Sequence, residues 1–215
     1  MKRIIQIVLW LVSIGLGYLI YNSVNAPIKF DKIKVERYTE VINRFKDIRE
    51  SQLAYKTVTG KFANDFNGLI KFIDTAKFTL VEKRDSSFMR MNKVYRIEMP
   101  VDTVLIDTLG FVPIKDSLFG ESDRYKNMMN VPAAKEGSKF VMQSNVIDKS
   151  GYKVAVFEAK VDKNLILYDQ PDYLVRQERE LVSVDGVNGP EIILGSLTDV
   201  STNGNWPTIY DTKSN

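Results

Sequence analysis

The chain has no cysteine and no histidine among its 215 residues, and these two absences remove more chemistry than any motif supplies. Without a thiol or an imidazole it can build no Ser-His-Asp triad, Cys-His nucleophile, zinc finger, zincin or histidine-ligated haem. No disulfide can staple an exported domain, so its core must suffice, and no thiol is present to be acylated as in a lipoprotein. An excess of one charge is missing too: 30 Lys+Arg against 27 Asp+Glu leave a net charge of +3. The lysines are interspersed with acids and form no basic stripe, which argues against nucleic acid as a partner.

Carboxylate or lysine chemistry, and hard cations held by oxygen, survive these exclusions. The densest acidic run is Asp172, Glu178, Glu180 and Asp185, interrupted by Arg176 and Arg179. Within it, Asp185-Gly186-Val187-Asn188-Gly189 lacks the alternating ligands and the terminal bidentate Glu of a calcium loop, and reads as a solvated turn. No catalytic, cofactor-binding or metal-binding residue is assigned, and no cofactor or small-molecule substrate is expected.

What is present begins at residues 4–21, eighteen consecutive uncharged residues reading IIQIVLWLVSIGLGYLIY. As a helix this run is about 27 Å long, close to the hydrocarbon thickness of a bilayer. It exceeds the apolar region of a cleaved signal peptide. The best cleavage candidate, Val24-Asn25-Ala26, would also put Pro27 first in the mature chain. The expectation is a retained signal-anchor with Lys2 and Arg3 in the cytoplasm and the C-terminal domain in the periplasm, at the inner membrane. Ser13 and Gly17 form a small-xxx-small pair suited to close packing against another membrane helix.

Pro27 is expected to end the span, and a second helix is predicted over residues 31–57. Its stripe of Tyr38, Val41, Phe45, Ile48 and Tyr55, widened by Ile42 and Leu53 with Gln52 between, must be buried. Phe45, Ile48 and Tyr55 are expected on the chain's own sheet, with Tyr38 and Val41, nearer the membrane, facing a partner. Gly60 stops this helix. A shorter one, capped by Asn64 or Asp65, carries Phe66, Leu69, Ile70 and Ile73.

From Lys77 the apolar period changes to two, predicting strands over residues 78–82, 94–99 and 101–109. Residues 113–137 read as a long connection with at most one helical turn, a place for a partner to dock. The clearest hairpin pairs residues 140–147 with 152–160 across Asp148-Lys149-Ser150-Gly151. Residues 165–168, 180–184 and 192–194 are further strand candidates.

The fold class expected is α+β: an N-terminal transmembrane helix, then a long juxtamembrane helix and a short helix packed on a mainly antiparallel β-sheet domain. The divisions are leader and anchor at 1–26, a helical region at 27–75, a β-rich domain at 76–195 and a polar tail at 196–215.

The run QLAYKTVTGKFANDFNGLIKFI, residues 52–73, resembles the end of the long helix in type II pseudopilins and pilins. That resemblance implies a membrane helix continued into a sheet-bearing domain and assembly into a filament. The N-terminus departs from the prepilin pattern: it has no Gly-Phe cleavage site, and Gln6 is the only polar residue where a Glu is expected. Asp74-Thr75-Ala76, Asp102-Thr103-Val104, Asp107-Thr108-Leu109 and Asp116-Ser117-Leu118 resemble the O-glycosylation acceptors of exported Bacteroidota proteins; local hydrogen bonding accounts for each equally. The Lys- and Ile-rich texture is similar to that of uncharacterised single-pass envelope proteins of that group. It implies a place beside secretion, gliding or energy-transducing complexes.

The expected function is a non-enzymatic accessory or structural subunit of a multi-protein envelope assembly, with protein partners that include further copies of itself. A pseudopilin-like filament subunit is the alternative, and an enzyme using carboxylates the third.

Overall fold

The computed structural model describes residues 2–92 and 97–210. It is a mixed helix-and-sheet protein built on one helix, α1 (Lys2–Thr59), about 87 Å long at 1.5 Å per residue. The break expected at Pro27 does not occur, because α1 runs through it. Proline removes one amide donor, freeing the carbonyl four residues back. With more than twenty helical residues on either side, that single loss does not stop propagation.

The two halves of α1 meet different surroundings. The apolar residues of 4–21 are all exposed, while from Phe30 onward one stripe turns inward: Phe30, Tyr38, Val41, Ile42, Phe45 and Ile48 are buried. Tyr55 packs edge-on to Phe72 at 4.8 Å, whereas Leu53 is exposed. Gln52 is buried because its amide acts as a backbone surrogate: it donates to Ala63 O and accepts from Ala63 N, each at 2.9 Å. Gly60, at φ +78°, ends the helix as expected.

Asp65 caps α2 (Phe66–Thr75), accepting from the amide of Gly68 at 2.9 Å. Asn64 instead accepts from the amide of Ser144.

Next come β1 (Lys77–Asn92) and β2 (Ile97–Pro113), an antiparallel two-stranded ribbon. It spans about 50 Å at 3.3 Å per residue. The register shifts between Leu80 and Val81: Leu80 faces Gly110, Val81 faces Thr108, and Leu109 bulges. Of the strand expected over 94–99, residues 94–96 lie outside the described residues.

The connection from 113 to 137 is more structured than expected. It holds α3 (Ile114–Phe119) and a 3-10 turn (Arg124–Asn127), and it buries Ile114, Phe119, Tyr125, Met128 and Val131.

The hairpin β3 (Val141–Lys149) and β4 (Tyr152–Asp162) forms as expected. Its turn is the two residues Ser150 and Gly151, at φ 56° and 82°, the mirror-image turn whose twist suits paired strands. β5 (Glu191–Gly195) adds to β4, giving the order β3-β4-β5.

Two predicted strands are not strands. Residues 165–168 fall in and just after α4 (Lys163–Ile166), where Asp162 caps the turn by accepting from Asn164 N at 2.7 Å. Residues 180–184 follow α5 (Asp172–Arg179) as loop, with Val182 and Val184 exposed.

The polar tail places two of its residues, Trp206 and Tyr210, in the core. Trp206 stacks on Phe45 at 5.7 Å, and Gly204 bridges to Leu194. A methyl group at Gly204 would lie 2.1 Å from the Trp206 ring, so glycine is needed for that approach.

Candidate functional site

Three features bear on function: the apolar half of α1, the junction where α1 enters the domain, and the ribbon. An 18-residue window of α1 has a mean hydropathy of 2.1, with none of it buried. This helix is long and apolar enough to cross a membrane. Ser13 and Gly17 both lie exposed on it, and nothing stands within 4 Å of the position a Gly17 side chain would take.

Tyr38 and Val41, expected to face a partner, are 1% and 0% exposed and belong to the chain's own core. α5, α4 and the tail close over the part of the stripe nearest residues 4–21. Sequence periodicity identifies which face is buried but not how far the covering elements reach.

At that closure lies a buried ion cluster that sequence reasoning missed. The ammonium of Lys163, 0% exposed, donates to Val187 O at 2.7 Å, Glu178 O at 2.8 Å and Glu178 Oε1 at 3.1 Å. All three protons are thus used. Glu178 also accepts from Lys34 at 3.1 Å and from Tyr38 Oη at 3.4 Å. Lys34 in turn donates to Asp31 at 2.7 Å.

Burial lowers the Lys163 pKa against the opposing pull of Glu178. Lys34 is desolvated as well, but its hydrogen bond to Asp31 and the nearby Glu178 raise its pKa overall. Burial, then the Glu178 charge, pushes the Tyr38 phenol up. One turn further along α1, Arg37 grips Asp169 with both nitrogens, at 2.6 and 2.8 Å, and donates to Ile166 O at 2.7 Å. This network fastens the helix leaving residues 4–21 to α4 and α5. A cleft of about 250 Å³ between Pro27, Phe30, Lys34, Leu174, Gln177 and Leu181 opens beside it.

The acidic run does not assemble into a site: Glu178 is spent on two lysines, and Glu180 and Asp185 are in loop. Among the described residues no group of three or more acids is placed to hold a metal ion. Of the Asp-Ser/Thr motifs, Thr75 bonds back to Lys71 O at 2.8 Å and Asp74 accepts from the Tyr125 hydroxyl. Thr103 and Thr108 lie on β2, and Ser117 is exposed on α3.

The ribbon leaves apolar side chains open on both faces. One face presents Val81, Met89, Val104 and Ile106; the other presents Phe88, Val101 and Leu105, all exposed. Residues 104–106 of β2 run Val-Leu-Ile, the continuous apolar pattern of a strand covered on both sides. Among the described residues its root is tied down: Ile114 N donates to Ala76 O at 3.1 Å, and Phe78 packs on the core. A hollow of about 440 Å³ opens at mid-ribbon between Asp85, Ser86, Ser87, Asp102, Thr103 and Val104. Set against protein-family models, curated proteins and solved structures, the chain matches none of them.

Proposed function

We propose that this chain is a single-pass inner-membrane protein. In this reading α1 anchors it with its N-terminus in the cytoplasm, and its periplasmic domain serves as a non-enzymatic structural or accessory subunit of an envelope assembly. The observation that carries the reading is the ribbon. An isolated two-stranded ribbon is at best marginally stable in water, and this one exposes apolar residues on both faces along about 50 Å. Such a surface is characteristic of an interaction site. The Lys163–Glu178–Lys34 cluster and the Arg37–Asp169 pair support a stiff joint that transmits the position of the membrane helix to the domain.

Extraction of the full-length protein from its own membranes in mild detergent tests this. The expected result is a complex well above the monomer's 24.6 kDa; recovery as a lone monomer overturns it.

A filament subunit of pilin-like architecture is the second reading, favoured by the continuity of α1, whose distal half packs on its own domain while the apolar half stands free. It requires N-terminal processing, so an intact mass matching the uncleaved chain excludes prepilin maturation.

A further inference from the structure

We propose that the ribbon's occupant is the ribbon of a second copy of this chain, with the outer edge of β1 pairing to the outer edge of β2 in the neighbour. The inference rests on the reading of α1 as an anchor and of the ribbon as the assembling element. Charge selects the edges. β1 carries Lys77, Lys83, Arg84 and Arg90 against Glu82 and Asp85, a net of +2; β2 carries Glu98, Asp102 and Asp107 and no base, a net of −3. Pairing β1 with β1 or β2 with β2 would set strands of like net charge side by side, which is unfavourable between cross-strand neighbours. Pairing β1 with β2 sets strands of opposite net charge together, with Arg84 diagonal to Asp107, which faces Glu82, at the ribbon's own register. Within the ribbon that chemistry is already realised, as Arg84 reaches Asp107 at 3.3 Å.

The anchor supplies the orientation. Copies held in one bilayer with the same sidedness are related by rotation about the membrane normal. A ribbon so rotated meets its neighbour with β1 beside β2 and the antiparallel sense retained. The contact is head-to-tail, so it closes into a ring when the rotation divides a full turn. It also gives β2, apolar on both faces, a place inside a wider sheet. Pro100 withholds one amide donor from β2 near the ribbon's tip, which sets the pairing toward the root, over residues 101–112.

Because the chain has no cysteine, single introduced thiols report contacts unambiguously. Ser86 on β1 and Thr103 on β2 share a face at the mid-ribbon hollow. Full-length Ser86→Cys with one tag and full-length Thr103→Cys with another are coexpressed. Their membranes are then oxidised with copper phenanthroline, which joins thiols only across one strand spacing, about 5 Å, whereas same-tag thiols of adjacent copies lie two spacings, roughly 10 Å, apart.

The proposal predicts mixed-tag dimers in at least about fivefold excess over same-tag dimers, since the contact is heterologous. Adding Lys83→Glu and Arg84→Glu to the Ser86→Cys chain should abolish the product. Adding Asp102→Lys and Asp107→Lys to the Thr103→Cys chain should then restore it, which misfolding cannot do. Dominant same-tag products overturn the proposal. So do adducts to another membrane protein in place of mixed dimers, although these leave the assembly reading standing. No adduct of any kind overturns both.

Discussion

Replacing Lys163 with Met is the most informative single perturbation of the joint between helix and domain. The Lys163 ammonium is wholly buried and has three acceptors within 3.1 Å, two of them on Glu178. Methionine fills the stem's volume but leaves Val187 O without this donor, and leaves the Glu178 carboxylate, 6% exposed, with only Lys34 and Tyr38. Removing one partner of a buried ion pair costs about 3–5 kcal/mol, because the other charge remains desolvated. For a chain of this size that is a fall in Tm of roughly 6–20 °C.

Removing both charges, as Lys163→Met with Glu178→Leu, should cost less than the sum of the single changes by about 2 kcal/mol, the scale of coupling between contacting residues. Thermal melts of the full-length variants in detergent, followed by circular dichroism, measure all three. A loss under about 1 kcal/mol for Lys163→Met, or strict additivity in the double variant, would refute the assignment of a coupled buried pair.

The remaining predictions use the same assay. Glu178→Gln leaves Lys163 buried without a counter-charge, so its native pKa falls further below its unfolded value near 10.4; the variant's deficit should shrink as pH rises toward that value, and a deficit independent of pH would count against the cluster. Val41→Asp and Ile48→Asp should unfold the domain equally, since both positions are 0% exposed and an unpaired buried carboxylate is costly in either. Trp206→Ala should cost about 3–5 kcal/mol, showing that the tail is core, whereas a neutral effect would return it to the surface. Arg37 holds the Asp169 carboxyl well below its usual range. The stability from that pair is therefore present above about pH 4 and is lost as pH falls below it, and Asp169→Asn should flatten that part of the acid profile.

Much of this architecture was legible because local pattern and burial coincide. The stripe from Phe45 to Tyr55, a cap at Asn64 or Asp65 and the stop at Gly60 follow from helical spacing and cap chemistry, and the β3–β4 hairpin follows from alternation around Asp148-Lys149-Ser150-Gly151, of which only Ser150 and Gly151 form the turn. Other features depended on long-range context. Pro27 reads as a terminator, yet a helix long on both sides carries through one lost bond. Trp206 sits in a polar tail, and the ring of Phe45, 161 positions earlier in the chain, stacks on it. Lys163 and Glu178 look like ordinary surface charges until α4 and α5 fold back over Tyr38. A signal was available in Gln52: an amide inside an apolar stripe must find partners, and it finds Ala63. Of the ribbon, residues 78–82 and 101–109 were readable from their alternation, but the continuation of β1 through residues 83–92 and the ribbon's projection away from the core were not, because period two fits an arm and a core sheet equally well.

The central claim, that the ribbon is the assembling element of a membrane-anchored subunit, is tested most directly by shortening it. Deleting residues 84–105 and closing Lys83 to Ile106, a facing pair, with a short Gly linker removes the exposed arm and keeps its root. Full-length and shortened proteins are extracted from native membranes in mild detergent, and the mass of each protein–detergent complex is determined by light scattering. The account predicts that the full chain migrates in an assembly several times 24.6 kDa, and that the shortened chain, equally helical and with an unchanged melt of the remaining domain, migrates as a monomer. Equal masses for the two would contradict it.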